Sequence, residues 1–301
     1  MSAASTNVNE IQHPGERLSA RVEGFSAPIC VGLDPVIERM PTVLSSSPPL
    51  EAMSTFCDGV LEAISGIVPC VKIQSACFER FGASGVALLE RTMNTAIGKG
   101  FEVILDAKRG DIGITAEHYA ESARAVGAHW VTVNGYLGED GIRPFLDAGM
   151  GVFVLVRTSN PSGDEIQNVE VLQGGTVAGK VAEMVARLGD EYSTGDSMHS
   201  VGAVVGATKP EAARQLRELM PRQPFLLPGF GAQGGGVEGV QAALDASQRG
   251  VLVTSSRGII YPQATVAENH ESNADDWRSH IQEAAHSFAK TISSVVGGDH
   301  S

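Results

Sequence analysis

Eight short runs rich in Val, Ile, Leu or Phe recur along the chain and alternate with segments whose apolar residues have helical spacing. Continuous apolar runs are typical of strands buried on both faces, as in a parallel sheet. The predicted strands are residues 28–33, 69–73, 101–106, 130–134, 151–156, 202–207, 225–228 and 251–255. The predicted helices include residues 54–67, 85–98, 115–126, 179–187, 210–220 and 237–248. Eight alternations favour a closed (β/α)₈ TIM barrel; an open doubly wound sheet would result if one or two predicted strands were wrong.

The whole chain of 301 residues is predicted to be a single barrel domain with additions at both ends. Residues 1–24 would form an N-terminal arm with a short helix, and residues 25–262 the barrel core. Residues 263–301 would form a polar loop and an amphipathic C-terminal helix that ends near residue 296. Two segments rich in Gly, Ser, Asp and Asn, residues 160–173 and 189–200, are expected to be loop insertions.

Charge and composition exclude several classes of protein. A net charge of −13 disfavours a nucleic-acid-binding surface, which needs a basic face. The chain has neither a long apolar run nor the features of an export signal, so we expect a cytoplasmic protein without membrane association. Its four cysteines form no CxxC pair and its histidines lack ligand spacing, which predicts reduced thiols and no bound metal.

Charged residues collect where predicted strands end, which is where barrel enzymes build their sites. The densest cluster is DAKRGD at residues 106–111. Asp34 directly follows the first predicted strand, and Lys72 lies near the end of the second. Asp106 and Lys108 are two apart, so they face the same side of an extended strand. Carboxylates on either side keep a lysine protonated. Lys108 is therefore suited to donate a proton, and unsuited to a Schiff base, which needs a neutral amine. The alternative is a salt-bridged barrel rim without catalytic function.

A second cluster predicts a phosphate site. The segment PGFGAQGGG at residues 228–236 follows the seventh strand, and SSRG at residues 255–258 follows the eighth. Glycine lets backbone N–H groups approach an anion closely, and this part of a TIM barrel commonly binds phosphate. A flexible linker is the alternative for the glycine segment alone, but the arginine at the next strand end favours a phosphate clamp.

These motifs together resemble the orotidine 5′-monophosphate decarboxylase family. DAKRGD resembles the family's DxKxxD motif, and the match extends in chain order over residues 28–261. It includes VGLD at residues 31–34, VK at 71–72, RTSNP at 157–161, PGFGAQGG at 228–235 and SRG at 256–258. The length and the RTSNP motif are similar to the longer bacterial branch. The resemblance implies that the substrate is orotidine 5′-monophosphate, the product is UMP, and no cofactor is used.

The resemblance also implies a role for each matching residue at the reaction centre. Lys108 would protonate C6 of the pyrimidine as CO₂ leaves, and Asp106 would lie beside the substrate carboxylate. Lys72 would hold the charge network and a ribose hydroxyl. Asp111 and Thr115 would reach into the site of a neighbouring protomer, so that the active form is a homodimer with shared sites.

The remaining matches concern binding of the nucleotide. Asp34 would bind the ribose, and Ser159, with Asn160, would read the pyrimidine edge. Gln233 and Arg257 would bind the phosphate with the help of the backbone of Gly235 and Gly258, and Pro228 would also contact the substrate.

Three other functions are compatible with parts of this pattern. A phosphosugar decarboxylase or hexulose-phosphate synthase on the same barrel would share DxKxxD but use Mg²⁺ and an enediolate. A Schiff-base aldolase would use Lys72 or Lys108. A barrel without catalytic activity would serve as a binding or structural protein, although such a protein has no physical need for a lysine between carboxylates.

Overall fold

Eight parallel strands close into a barrel in chain order, and the first strand pairs with the eighth. The computed structural model describes residues 13–195, 198–231, 234–262 and 276–297. The strands are β1 (Ile29–Leu33), β2 (Cys70–Gln74), β3 (Glu102–Arg109), β4 (Trp130–Asn134), β5 (Gly151–Arg157), β6 (Val201–Val205), β7 (Phe225–Leu227) and β8 (Val251–Ser255). The predicted (β/α)₈ TIM barrel is confirmed, and each predicted strand overlaps an observed one.

Helices cover the outside of the barrel. They are α1 (Pro14–Glu23), α2 (Pro49–Ala63), α3 (Ser75–Glu79), α4 (Gly82–Gly98), α5 (Gly113–Ala125), α6 (Arg143–Asp147), α7 (Asp164–Gln167), α8 (Val177–Glu191), α9 (Pro210–Leu219), α10 (Val237–Ala243), α11 (Arg257–Ile260) and α12 (Asp276–Val296). Proline in the first turn begins α1, α2 and α9, where its missing N–H costs nothing.

Several predicted boundaries were wrong; the helix predicted for residues 54–67, for example, spans Pro49–Ala63. The helix predicted for residues 237–248 ends at Ala243, because Asp245 accepts hydrogen bonds from the N–H groups of Ser247 (2.8 Å) and Arg249 (2.9 Å) and fixes a turn. The predicted loop insertion at residues 160–173 contains the short helix α7. The polar segment at residues 263–275 lies outside the described residues.

Helix α1 closes the N-terminal end of the barrel. Leu18 is buried against the side chains that fill the lower barrel interior, among them Trp130 and Phe153. Arg17 donates to both carboxylate oxygens of Glu102 at 3.1 Å, and the Trp130 indole N–H donates to the same carboxylate at 2.9 Å. This end of the barrel is therefore sealed by packing and by a satisfied buried charge, which leaves the opposite end for a site.

Two further observations concern membrane-spanning helices and the state of the cysteines. Within the described ranges, no helix is long and apolar enough to cross a membrane. All four cysteines are free thiols, and Cys30, Cys57 and Cys70 are buried.

Candidate active site

A cavity of about 690 Å³ opens at the C-terminal ends of the strands, a size typical of small-molecule sites. The predicted site residues that line it are Asp34, Lys72, Asp106, Lys108, Ser159, Asn160, Pro228 and Arg257. A second cavity, of about 670 Å³, lies near Phe25 and Arg249, and no predicted site residue lines it. The first cavity is therefore the candidate active site.

The carboxylate of Asp106 binds two ammonium groups at once. The Lys72 Nζ lies 2.7 Å from one oxygen and the Lys108 Nζ lies 2.6 Å from the other. Lys72 also lies 3.7 Å from Asp34. Burial disfavours the charged form of Asp106, but Lys72 and Lys108 outweigh it and lower the pKa of this carboxyl to about 2. Burial would likewise lower the pKa of Lys72, but Asp34 and Asp106 raise it above its ordinary value. Asp106 and Lys72 are thus both ionised at neutral pH.

A bulge in β3 aims the Lys108 side chain into the cavity. The register between β3 and β4 shifts between Leu105 and Arg109, and Lys108 has a φ of +46°. That conformation costs a non-glycine residue roughly 1–2 kcal/mol. The Thr132 hydroxyl stabilises it, since it accepts the Lys108 N–H at 3.0 Å and donates to Asp106 at 2.8 Å. The backbone at Lys108 is therefore constrained by the same carboxylate that binds its side chain.

One wall of the cavity is the segment 158–160, which a hydrogen-bond network holds in place. The buried guanidinium of Arg157 donates to Asp164 at 2.8 Å and to Gln167 at 3.0 Å. Gln167 in turn accepts the Thr158 N–H at 3.0 Å and donates to its hydroxyl at 2.8 Å. Ser159 packs against Gly206, where an added Cβ would lie 3.1 Å from the Ser159 backbone. Ser159 and Asn160 are consequently presented to the cavity by a fixed backbone.

The ends of β7 and β8 carry the remaining predicted substrate-binding residues. Pro228 and Arg257 line the cavity, whereas Gly235 and Gly258 do not. The Gly235 N–H donates to the Gly229 carbonyl at 3.0 Å, so this amide is engaged within its own loop. Gly258 lies in the first turn of α11, directly after Arg257. Gln233 lies outside the described residues.

Asp111 and Thr115 lie away from the cavity of their own chain. Asp111 is half-buried and accepts a hydrogen bond from the Ile112 N–H at 2.9 Å, and Thr115 is exposed on α5. Ile112 and Ile114 beside them are exposed apolar residues. The structure thus separates these two predicted residues from the other members of the site.

Sequence reasoning missed several residues of the cavity. Gln74 donates to Asp106 at 3.1 Å, and its position two residues after Lys72 in β2 could have indicated it. Thr132 could have been noticed as a polar residue in an apolar strand. Arg39 and Tyr261 also line the cavity, and nothing in their local sequence marks them. Across the part of the chain described, no three His, Cys, Asp or Glu side chains group as a metal site.

The fold and the site define a (β/α)₈-barrel enzyme with a lysine–carboxylate centre. The chain belongs to the orotidine 5′-phosphate decarboxylase / HUMPS family, whose model matches residues 27–271. Its curated relatives are decarboxylases, which identifies the chain as a carboxy-lyase.

Three similar proteins are named as orotidine 5′-phosphate (OMP) decarboxylases. The orotidine 5′-phosphate decarboxylase of Rhodopirellula baltica is 38% identical over 287 residues, covering 89% of this chain and 95% of the relative. That of Halorubrum lacusprofundi is 41% identical over 268 residues, covering 87% of this chain and 90% of the relative. The solved structure of Leishmania donovani OMP decarboxylase superposes with a TM-score of 0.75 at 30% identity, covering 93% of this chain and 97% of that one. The resemblance in the sequence is thereby confirmed.

Proposed function

We propose that this protein decarboxylates orotidine 5′-monophosphate to UMP and CO₂ in pyrimidine biosynthesis, without a metal or an organic cofactor. The observation that carries the proposal is the bonding of Asp106 to both Lys72 and Lys108 in a cavity that Arg257 also lines. The activity for which the similar proteins of Rhodopirellula baltica and Halorubrum lacusprofundi are named supports the choice of substrate.

The proposed reaction uses Lys108 as the proton donor. When the bond between C6 and the carboxylate breaks, its electron pair remains on C6, in the ring plane and outside the π system. A fixed ammonium beside C6 stabilises this charge and then donates its proton to form the C6–H bond of UMP. The neutral Lys108 amine regains a proton from water. Lys108 suits this role because its ammonium is positioned by Asp106 before the substrate arrives.

Asp106 would lie beside the carboxylate that leaves. Two unit charges about 4 Å apart at an effective dielectric of about 20 repel by about 4 kcal/mol. Lys72 and Lys108 partly neutralise Asp106, so the actual repulsion is smaller. Enzymatic rate enhancements commonly require roughly 8–23 kcal/mol, so stabilisation of the carbanion must supply most of the effect.

The other residues would bind the nucleotide. Asp34 and Lys72 would bind the ribose, and Ser159 and Asn160 the pyrimidine edge. The phosphate would be bound by Arg257 and by the loop of residues 228–236. Because the Gly235 N–H already donates to Gly229, its participation requires that loop to rearrange when the phosphate binds.

The direct test is the loss of pyrimidine absorbance when the purified protein is mixed with orotidine 5′-monophosphate in excess EDTA. We expect conversion to UMP that is abolished in Lys108→Ala and retained in Lys180→Ala, a change of a half-buried lysine on α8 that does not line the cavity. Absence of conversion, with activity on a phosphosugar plus Mg²⁺, would move the function to the metal-dependent relatives. Trapping of a substrate carbonyl by borohydride would instead identify a Schiff-base enzyme.

We further propose a homodimer in which Asp111 and Thr115 complete the site of the partner subunit. Their position outside their own cavity supports this arrangement. A set of exposed apolar side chains near them would be covered by the partner: Ile112, Ile114, Tyr119, Tyr136 and Leu137. Self-complementary interfaces of this kind are the commonest route to a dimer.

Mixing two inactive variants tests the shared site. A dimer of one Lys108→Ala and one Asp111→Ala protomer contains one site with both defects and one intact site. Random exchange at equal amounts should therefore restore about one quarter of the native sites. If no activity returns although mass spectrometry shows mixed dimers, each site must be built from one chain.

We place this activity in the cytoplasm. The four free thiols support a reducing compartment. Cell fractionation with antibody detection tests the location, and recovery outside the cytoplasmic fraction would contradict it.

A further inference from the structure

The cavity contains a cation that the proposed mechanism leaves unused. Arg39 lies at the end of the 3₁₀ turn Ile37–Arg39, which follows β1, and its exposed side chain lines the same cavity as Arg257. Lys72 and Lys108 also line this cavity, and carboxylates inside it bind both of them. For Arg39 and Arg257, no carboxylate partner occurs among the residues described. These two guanidinium groups are thus available to an anionic ligand.

Tyr261 ties the segment that carries Arg39 to the helix that carries Arg257. Its hydroxyl accepts the Val36 N–H at 2.7 Å, and its own N–H donates to the Arg257 carbonyl at 3.1 Å. The Tyr261 ring is buried and stacks on Phe56, with ring centroids 5.3 Å apart and planes at 5°. Packing and hydrogen bonds therefore place the backbones that bear both arginines on one side of the cavity.

The charges of the cavity favour a second arginine at the phosphate. Among the residues that the structure describes, four cations and two carboxylates line it, namely Arg39, Lys72, Lys108, Arg257, Asp34 and Asp106, and their net charge is plus two. A phosphate monoester carries roughly −1.5 to −2 at pH 7. Lys72 and Lys108 are neutralised by Asp34 and Asp106, so Arg257 alone would balance about half of a phosphate dianion. Arg39 supplies the missing positive charge in a protein whose overall charge is −13.

We propose that Arg39 is a second phosphate ligand, which binds the nucleotide phosphate together with Arg257. The assignment rests on the proposed nucleotide substrate. A guanidinium offers two parallel N–H donors to phosphate oxygens, so two of them can bind a phosphate from two sides. Arg39 is exposed before the ligand binds and already lines the cavity, so its side chain can turn onto the phosphate without movement of the backbone.

The test compares ligands with and without phosphate. Titration calorimetry or fluorescence gives the Kd of UMP and of uridine for the native protein and for Arg39→Ala. Loss of a charge-assisted contact should raise the Kd of UMP by roughly 10- to 100-fold. The Kd of uridine, which lacks phosphate, should change by less than about twofold. Arg39→Lys should recover part of the loss, because it keeps the charge but not the paired donors.

Arg80→Ala is the matched control, since this exposed arginine stacks on Phe81 and does not line the cavity. It should leave both dissociation constants unchanged. Repeating the titration at about 1 M salt, where the Debye length is about 3 Å, separates a direct contact from long-range attraction. If Arg39 contacts the phosphate directly, the Kd of UMP remains higher for Arg39→Ala than for the native protein at high salt.

The outcomes distinguish this assignment from the function on which it rests. If the native protein binds UMP no better than uridine, the nucleotide function fails and the Arg39 assignment fails with it. If the native protein prefers UMP and Arg39→Ala keeps that preference, only the assignment of Arg39 is overturned. It is also overturned if the variant weakens UMP and uridine equally, or if its defect disappears at high salt.

Discussion

Thr132 connects the strained backbone of Lys108 to the carboxylate that binds its ammonium, and Thr132→Val removes that connection while nearly preserving volume. The side chain lies in β4 and is 1% exposed. The change removes a hydrogen bond to the ionised Asp106, worth about 1.5–3 kcal/mol, and leaves the Lys108 N–H without an acceptor, which costs about 1–3 kcal/mol. Relief of the left-handed conformation at Lys108 returns roughly 1–2 kcal/mol. We expect a net loss of unfolding free energy of about 3 kcal/mol, within a range of about 0.5–5 kcal/mol.

The effect on catalysis should be larger than the effect on binding. Once Lys108 can leave a φ of +46°, its ammonium shifts relative to C6 of the substrate. A displacement of about 1 Å at a reacting group can reduce the rate by about 100-fold. We therefore expect kcat to fall by roughly that factor, with KM changed by less than about threefold because the binding residues lie elsewhere.

The assays are the loss of absorbance of orotidine 5′-monophosphate, for kcat and KM, and urea unfolding at constant pH. Thr132→Ser is the matched control, because it keeps the hydroxyl and loses a methyl group. It should retain a kcat within a few-fold of the native value. If Thr132→Val kept its kcat within twofold while losing the expected stability, the constraint on Lys108 would be irrelevant to proton transfer.

Two further predictions concern stability. Leu18→Ala removes a buried side chain from the helix that closes the barrel and should cost about 2–5 kcal/mol in urea unfolding, with kcat unchanged; a loss under about 1 kcal/mol would show that α1 contributes little. Because the pKa of Asp106 is lowered from 3.8 to about 2, its ionised form stabilises the fold fully above about pH 4. That contribution, about 2 kcal/mol, is lost as the pH falls towards 2. Between pH 5 and pH 2, the native protein should lose unfolding free energy in urea unfolding, and Asp106→Asn should not show this loss. An equal pH dependence of the unfolding free energy in both proteins would contradict this prediction.

Much of the fold could be predicted because its signals are local. Continuous apolar runs mark strands buried on both faces, and β4 and β8 have the predicted bounds. The ends of helices were less predictable, since α10 ends just before Asp245, whose side chain accepts hydrogen bonds from backbone N–H groups. Leu18 and Arg17 close the N-terminal end of the barrel through contacts with strands far along the chain, and no local sequence pattern predicts such contacts.

The site was predictable where its residues belong to one strand. The spacing of Asp106 and Lys108 brought both to the cavity, and the ends of neighbouring strands added Asp34 and Lys72. The bulge in β3 and the positive φ of Lys108 follow from tertiary hydrogen bonds, so they were not predicted. Arg39 was missed for the same reason, because its place in the cavity that Arg257 also lines depends on Tyr261, more than two hundred residues away.

The central claim, that Lys108 exchanges a proton with C6, can be tested without the decarboxylation step. By microscopic reversibility, a group that protonates C6 can also remove that proton from bound UMP. We would incubate UMP with the protein in D₂O and follow the C6–H signal by NMR. The account predicts exchange with deuterium by the native protein and by Lys180→Ala, and none by correctly folded Lys108→Ala. Equal exchange by Lys108→Ala would contradict it, because another group would then hold the proton.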